Sequence, residues 1–485
     1  MIDPERTIDA AIALRDAGRG DEAVAALRTA LAAHPRNPRL WQTLGTVHRA
    51  LEQSAAAVDA FAAAARLAPN DPKPAHGVAQ ASLEAGRPAV ALFERAHRLA
   101  PADGAILLGR AAAQLAEGRG AEAITVLDAV VAANPLWLDG QATLARLRWM
   151  MGDADGFTAG YVRAIQGDPR NPALWSALAH LLLDAERYAA ALEVAVNARG
   201  ATGRVDALRL VEASATSELG DLAAADRLFA TLSSDAVTLE HRLRHLLRAG
   251  RADEAAACAE PMLGDPAAGR LWPFVSVAWR LLGDPRYDWL EGDAALISTV
   301  DLDLDLTALA GRLRVLHRAV RDPLGQSVRG GTQTDGPLFA HEAPEIQAVR
   351  AAVRSAVERH VAALGRADPT HPTRRHIGKR TRFAGSWSVR LTGAGHHSAH
   401  VHPQGWLSSA LYVAVPDEAA LGEAPAGWLQ LGAPPPALRA ALPPTREIAP
   451  RPGTLVLFPS TMWHGTAPIA GGERLTIAFD VAAIG

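Results

Sequence analysis

Residues 37–69, NPRLWQTLGTVHRALEQSAAAVDAFAAAARLAP, hold two Ala- and Leu-rich stretches divided at Leu51-Glu52 and closed by Pro69. The same punctuation recurs outward along the chain. Pro35, Pro69, Pro101, Pro135 and Pro169 are spaced 34, 32, 34 and 34 residues apart. Interleaved with them, Gly18, Glu52, Gly86, Gly118, Gly152, Glu186, Gly220, Gly250 and Gly283 follow at 34, 34, 32, 34, 34, 34, 30 and 33 residues. Glycine enters the left-handed conformation that ends a helix at least cost, and proline cannot continue a helix. Each unit therefore reads as helix, turn, helix, with the glycine series at the turn and the proline series at the end. Trp41 and Trp175, six residues after Pro35 and Pro169, are large enough to fill the space between paired helices.

A helix–turn–helix period of 34, seen again in AEGRGAEAITVLDAVVAANP (116–135), resembles the tetratricopeptide repeat. The resemblance covers about residues 1–284. It implies units stacked into a superhelix, because one unit cannot bury its apolar stripe alone, and a concave groove that holds a protein or peptide partner. A spacer or dimerisation arm is the plainer alternative.

The 485 residues leave room for two or three domains. Hydrophobic residues make up 49% and charged residues 21%, with 49 basic side chains against 52 acidic ones for a net charge of −3. That balance is globular rather than disordered, and it does not favour a nucleic-acid platform. Cys258 is the sole cysteine, which excludes an intramolecular disulfide, a CxxC pair and a thiolate-rich metal cluster. The opening MIDPERTIDAAIALRDAG has acids where a secretory signal needs a basic end, and no apolar run reaches membrane-spanning length. A cytoplasmic protein with no membrane partner is expected.

After Gly283 the pattern breaks, and Pro285 forbids smooth continuation. Residues 307–320 and 344–363 still read as helices, while QSVRGGTQTDGPLF between them does not. From Trp387 onward the text is strand-like: SWSVRL, HVHP, SSALYVAVP, WLQLG, TLVLFPS and RLTIAFDV, divided by Gly and Pro turns. The expected fold is multidomain α + β: a helical solenoid over residues 1–284, then a jelly-roll or cupin-like domain with flanking helices over 285–485, its core strands from about 385.

His400-Val401-His402 places two imidazoles on one face of a strand, close enough to share a metal ion. With 17 histidines in the chain, one such pair is near chance, so context must carry it. The context is His464, at the end of TLVLFPSTMWH, and Arg474 ten residues later. On the final strand Leu475, Ile477, Phe479 and Val481 form an apolar face, and Arg474, Thr476, Ala478 and Asp480 form the other. An arginine on that second face needs solvent or an anion. Its planar fork suits a carboxylate, and Thr476 offers a hydroxyl beside it. His396 and His397 read as a polar loop, and Ser408 and Ser409 have no evident role.

GSWSVRLTGAGHHSAHVHPQGWLSSALYVAVP, GTLVLFPSTMWHGTAP and RLTIAFDV together resemble the Fe(II)/2-oxoglutarate-dependent oxygenases that carry tetratricopeptide repeats ahead of the oxygenase domain. The resemblance spans about the last two hundred residues. It implies a double-stranded β-helix with Fe(II) and 2-oxoglutarate as cofactors, O2 as co-substrate, and hydroxylation of the substrate. By resemblance His400 is the first iron ligand, His464 the distal one, and Arg474 the clamp on the far carboxylate of 2-oxoglutarate, with Thr476 beside it. Tyr412 matches a tyrosine that touches the same carboxylate in related prolyl hydroxylases. His402 stands where the wider superfamily has an acid, and imidazole is also a good Fe(II) ligand. The expected set is His400, His402 and His464; a two-histidine site with His402 in a supporting or substrate-contact role is the alternative. Gln326, Arg329 and Gln333 either line the pocket entrance and bind substrate or satisfy a tight loop. Trp406 and Trp463 either form a pocket wall or pack in the core.

The leading expectation is an oxygenase acting on a protein or peptide-linked substrate recruited by the repeats. A three-histidine cupin-type dioxygenase on a small molecule, and a non-catalytic scaffold with an iron- and 2-oxoglutarate-sensing barrel, are the alternatives. The sequence leaves the oligomeric state open.

Overall fold

The computed structural model describes residues 2–203 and 205–484. Among the described residues, seventeen α-helices, from Pro4–Asp16 to Trp272–Leu282, stack as antiparallel pairs. Their starts are set by short polar caps. The side chains of Asn37, Asp71, Asp103 and Asn171 accept the first free backbone N–H groups of their helices. Proline at the first turn pre-sets the backbone in three of these four. All nine residues of the turn series lie in the left-handed region, with φ from 55° to 99°. The indoles of Trp41 and Trp175 do more than fill space: each donates its N–H to the carbonyl of the proline six residues earlier, at 2.9 and 2.8 Å.

Beyond the solenoid, nine antiparallel strands among the described residues form two sheets: β1 Ser298–Asp301, β2 Val328–Gln333, β3 Arg380–His397, β4 Leu407–Ala414, β5 Leu429–Leu431, β6 Arg446–Ile448, β7 Thr454–Pro459, β8 His464–Thr466 and β9 Glu473–Ile484. The larger sheet runs β1-β7-β4-β9-β3-β2 and the smaller β6-β5-β8. Together they make a double-stranded β-helix. The apolar face of β9, Leu475, Ile477, Phe479 and Val481, packs in a core shared with the helices Leu306–Leu316 and Pro344–Ala363. A second apolar cluster, including Tyr412, Leu429, Leu431 and Phe458, joins strands of both sheets.

Three local expectations change. HVHP is not a strand: His400 makes a single bridge to His464, and the chain then turns, since Pro403 has no N–H to extend a ladder. His464 does not end the apolar strand. β7 stops at Pro459, the chain crosses between sheets, and His464 opens β8. β3 runs the full 18 residues from Arg380, so His396 and His397 lie on a strand paired with Arg329 and Val328 rather than in a loop.

The C-terminal part lies along the row of turns within the repeats. Arg350 donates to the carbonyls of Leu51 and Glu52 at 2.7 and 3.1 Å, closing a helix end whose carbonyls lack internal partners. Glu342 bonds Ala85 through its backbone and Arg87 through its carboxylate. Val320 donates to Met150, Trp149 to Asp322, and Arg248 to Ala437. Arg380 reaches the Gly18 carbonyl and Arg329 the Glu186 carboxylate.

Candidate metal centre and anion cradle

The bridge between His400 and His464 places the two rings 4.1 Å apart, centre to centre, at a corner where the sheets meet. His402 stands 5.0 and 5.2 Å from them, and one nitrogen from each ring lies within 4.8 Å of the others. The rings are held from behind. Nδ1 of His400 meets the Ser398 carbonyl at 2.8 Å, Nδ1 of His464 the Met462 carbonyl at 2.9 Å, and Nδ1 of His402 the Asp480 carboxylate at 2.6 Å. Each acceptor requires the proton on Nδ1, which leaves the Nε2 lone pair for a metal. Burial holds His400 down to about 3 and His464 well below the usual imidazole range, with neighbouring rings adding to the effect. Both stay neutral and ligand-competent at ordinary pH.

On β9, Arg474 is 2% exposed. Its Nη1 donates to the Gly427 carbonyl at 2.8 Å, but its Nε has no partner. The guanidinium lies 5.4 Å from the centre of the Tyr412 ring, whose buried hydroxyl also has no partner. Thr476 faces Tyr412 across the β4–β9 pair. Burial pushes the Tyr412 phenol up while Arg474 opposes that shift, so the phenol stays a donor. A buried cation and a buried hydroxyl, both short of acceptors, make a cradle for an anion.

Residues 385–480 match the family model described as "Putative 2OG-Fe(II) oxygenase", and residues 8–72 and 82–147 match tetratricopeptide repeat models. Tetratricopeptide repeats thus precede a 2OG-Fe(II) oxygenase domain. No curated protein matches the chain. Among solved structures, the chain is similar to a tetratricopeptide repeat protein from Parabacteroides merdae (18% identity, 47% of this chain and 91% of that one, TM-score 0.31). It is also similar to a Pseudomonas putida prolyl-4-hydroxylase (19%, 39% and 94%, 0.28) and to yeast Tom70 (15%, 56% and 60%, 0.37). No helix among the described residues is long and apolar enough to cross a membrane.

The oxygenase domain's own atoms fit the cofactors its family uses. Three imidazole donors suit a divalent transition metal, and the cradle at Arg474 and Tyr412 suits a carboxylate.

A cleft of about 690 Å³ opens between the oxygenase domain and the repeats, lined by Tyr188, His241 and Arg244 on one side and Ser327, His400 and Trp463 on the other. Gln326 and Arg329 lie on it, with Arg329 paired to Glu186 and bonded to the Gln326 carbonyl at 2.6 Å. Trp463 is both wall and core: its N–H donates to Pro273 at 2.8 Å and its ring packs edge-on against Phe274. Gln333 is elsewhere, in a separate cavity with Leu338 and His341. Trp406 is buried in the core beside the flanking helices, near His376.

Four contributors escaped the sequence reading. Ser327 Oγ lies 3.2 Å from His400 Nε2 and 3.1 Å from His397 Nδ1. Ser408 bonds Asp480 and Ser460, and Asp480 holds His402. The available hint was Asp480 sharing its strand face with Arg474 and Thr476.

Proposed function

We propose that this protein is an Fe(II)- and 2-oxoglutarate-dependent hydroxylase acting on a protein or peptide segment that the repeats hold across the cleft. The observation that carries the reading is the buried Arg474, with an unpartnered Nε beside an unpartnered Tyr412 hydroxyl, on a strand whose same face reaches His402 through Asp480. In this reading His400, His402 and His464 hold the metal, and Arg474, Tyr412 and Thr476 hold the distal carboxylate of 2-oxoglutarate. Together the two cofactors supply an oxidant for an unactivated C–H bond, with O2 consumed and succinate and CO2 released. The chain's residues bind and orient. Arg474 fixes the carboxylate by charge-assisted bonds, burial keeps water from competing for them, and the Nδ1 acceptors aim the three rings. Gln326, Arg329 and Trp463 contact the substrate, and the division of labour falls near residue 284.

The cleft supports a peptide substrate because one wall belongs to the repeats and is polar, with Tyr188, a Ser214–His241 pair bonded at 2.9 Å and Arg244 held by Glu218 at 2.6 Å. The test is calorimetry of 2-oxoglutarate on the metal-loaded, oxygen-free protein, followed by succinate formation with peptide pools. Wild type is expected to bind and to turn over with some pools. Failure of Arg474→Ala to weaken binding, together with no succinate from any pool, sinks the reading. Oxygen uptake without succinate points instead to a dioxygenase that needs no oxo-acid.

A further inference from the structure

His402 differs from the other two rings in what holds it. His400 and His464 lean on backbone carbonyls, whereas His402 leans on a carboxylate, Asp480 Oδ2, at 2.6 Å. That carboxylate belongs to a closed ring of bonds. Its other oxygen accepts from Ser408 Oγ at 2.6 Å. Ser408 Oγ lies 2.9 Å from Ser460 Oγ, and the Ser460 carbonyl accepts the backbone N–H of His402 at 2.9 Å. The ring is well shielded: Ser408 is 2% exposed and Ser460 0%. Trp387 stacks on the imidazole, 5.6 Å away at 29°. Imidazole ligands bring no negative charge to a divalent ion, and a carboxylate behind one of them raises that ligand's basicity and fixes its tautomer.

We propose that Asp480 is a positioning residue for the metal centre, holding His402 with its proton on Nδ1 and its Nε2 toward the ion, and that Ser408 and Ser460 hold Asp480 in turn. The negative charge that a carboxylate ligand would bring sits one residue further out, on β9, the strand that carries Arg474. The proposal rests on the three-histidine reading. It differs from a merely structural role for Asp480 in requiring that the effect pass through His402.

The test titrates Co(II) into the full-length protein without oxygen, for wild type, Asp480→Ala, Asp480→Asn, Ser408→Ala and His402→Ala. Proton NMR of the Co(II) forms follows the shifted, exchangeable imidazole N–H signals. Asp480→Ala is expected to lose about 10- to 100-fold in affinity and to lose through fast exchange the signal that is also missing in His402→Ala. Asp480→Asn keeps an acceptor without the charge and is expected to fall between. Ser408→Ala keeps the carboxylate and is expected to show a smaller loss with the same signal displaced. Should Asp480→Ala fail to fold, Ser408→Ala decides: an unmoved His402 signal overturns the proposal. Asp480 variants that bind Co(II) within twofold of wild type while His402→Ala binds poorly overturn the positioning role alone. So does weakened binding with the His402 signal intact. If His402→Ala binds as wild type does, the three-histidine reading falls and the proposal with it.

Discussion

A guanidinium removed from water needs an acceptor for each N–H, and Arg474 keeps Nε without one. The deficit is what a bound carboxylate would relieve, and charge-assisted bonds of that kind contribute about 1.5–3 kcal/mol each. Arg474→Lys, which retains charge but not the fork, is therefore expected to weaken 2-oxoglutarate binding by about ten- to a hundredfold, measured by calorimetry on the metal-loaded protein. Tyr412→Phe removes one neutral donor and is expected to cost about 1 kcal/mol in the same measurement. If Tyr412→Phe equals Arg474→Lys, the phenol carries more than a hydrogen bond. Strand alternation put Arg474 and Thr476 on one face of the final strand, because that relation lies within one strand, whereas the distal-ligand role of His464 came from the resemblance alone. Asp480 was visible on the right face but not as a partner, since His402 is 78 positions away and only the folded β-helix brings them together. Ser327, 73 positions from His400, was invisible for the same reason.

Helices and turns are local, so a period of 34 and its punctuation located them well; short strands such as β1 and the corner at His400 depend on partners far along the chain. Gly86 and Gly250 both sit at left-handed turns, with φ of 77° and 73°. A Cβ at Gly250 meets nothing within 4 Å, whereas one at Gly86 collides with the His341 ring. Gly250→Ala is expected to cost about 1–2 kcal/mol for backbone conformation alone, and Gly86→Ala more, by denaturant titration. Equal losses would mean that His341 swings aside freely. The helix Pro344–Ala363 carries a different liability. His360 is buried with neither ring nitrogen partnered, and burial holds it down to about 4. His317, between Thr332 and Ser388, is also held down to about 4, by burial with Arg390 adding to it. The unfolded chain binds these protons near pH 6.5 and the folded one does not, so stability rises with pH across that window. The melting temperature is expected to hold above pH 6.5 and fall increasingly toward pH 4, with the two contributions levelling off below it. His360→Leu should flatten the fall, and an unchanged pH profile would remove His360 from the account.

Across the whole molecule, the repeats and the β-helix are joined by many bonds from turns near Gly18, Glu52, Gly86, Gly152 and Glu186. Arg350 is the most committed of them, since removing it strands the part-buried carbonyls of Leu51 and Glu52. Arg350→Ala is expected to destabilise by about 1–3 kcal/mol, and calorimetry of the wild type to show one transition. Two resolved transitions would mean that the docking does not couple the halves. The general two-part plan was readable from composition shift and period, but the attachment was not, because its residues look like ordinary surface arginines and helix ends. Two of the nine turns carry glutamate instead of glycine, Glu52 and Glu186, and both meet an arginine from the C-terminal part. A free-standing solenoid tolerates gain or loss of a unit, because each unit touches only its neighbours. Here successive units also serve as rungs fastened to a second body of fixed length. Duplicating or deleting a single rung would put every later fastening out of step, so the copy number of the array is locked by the object it carries.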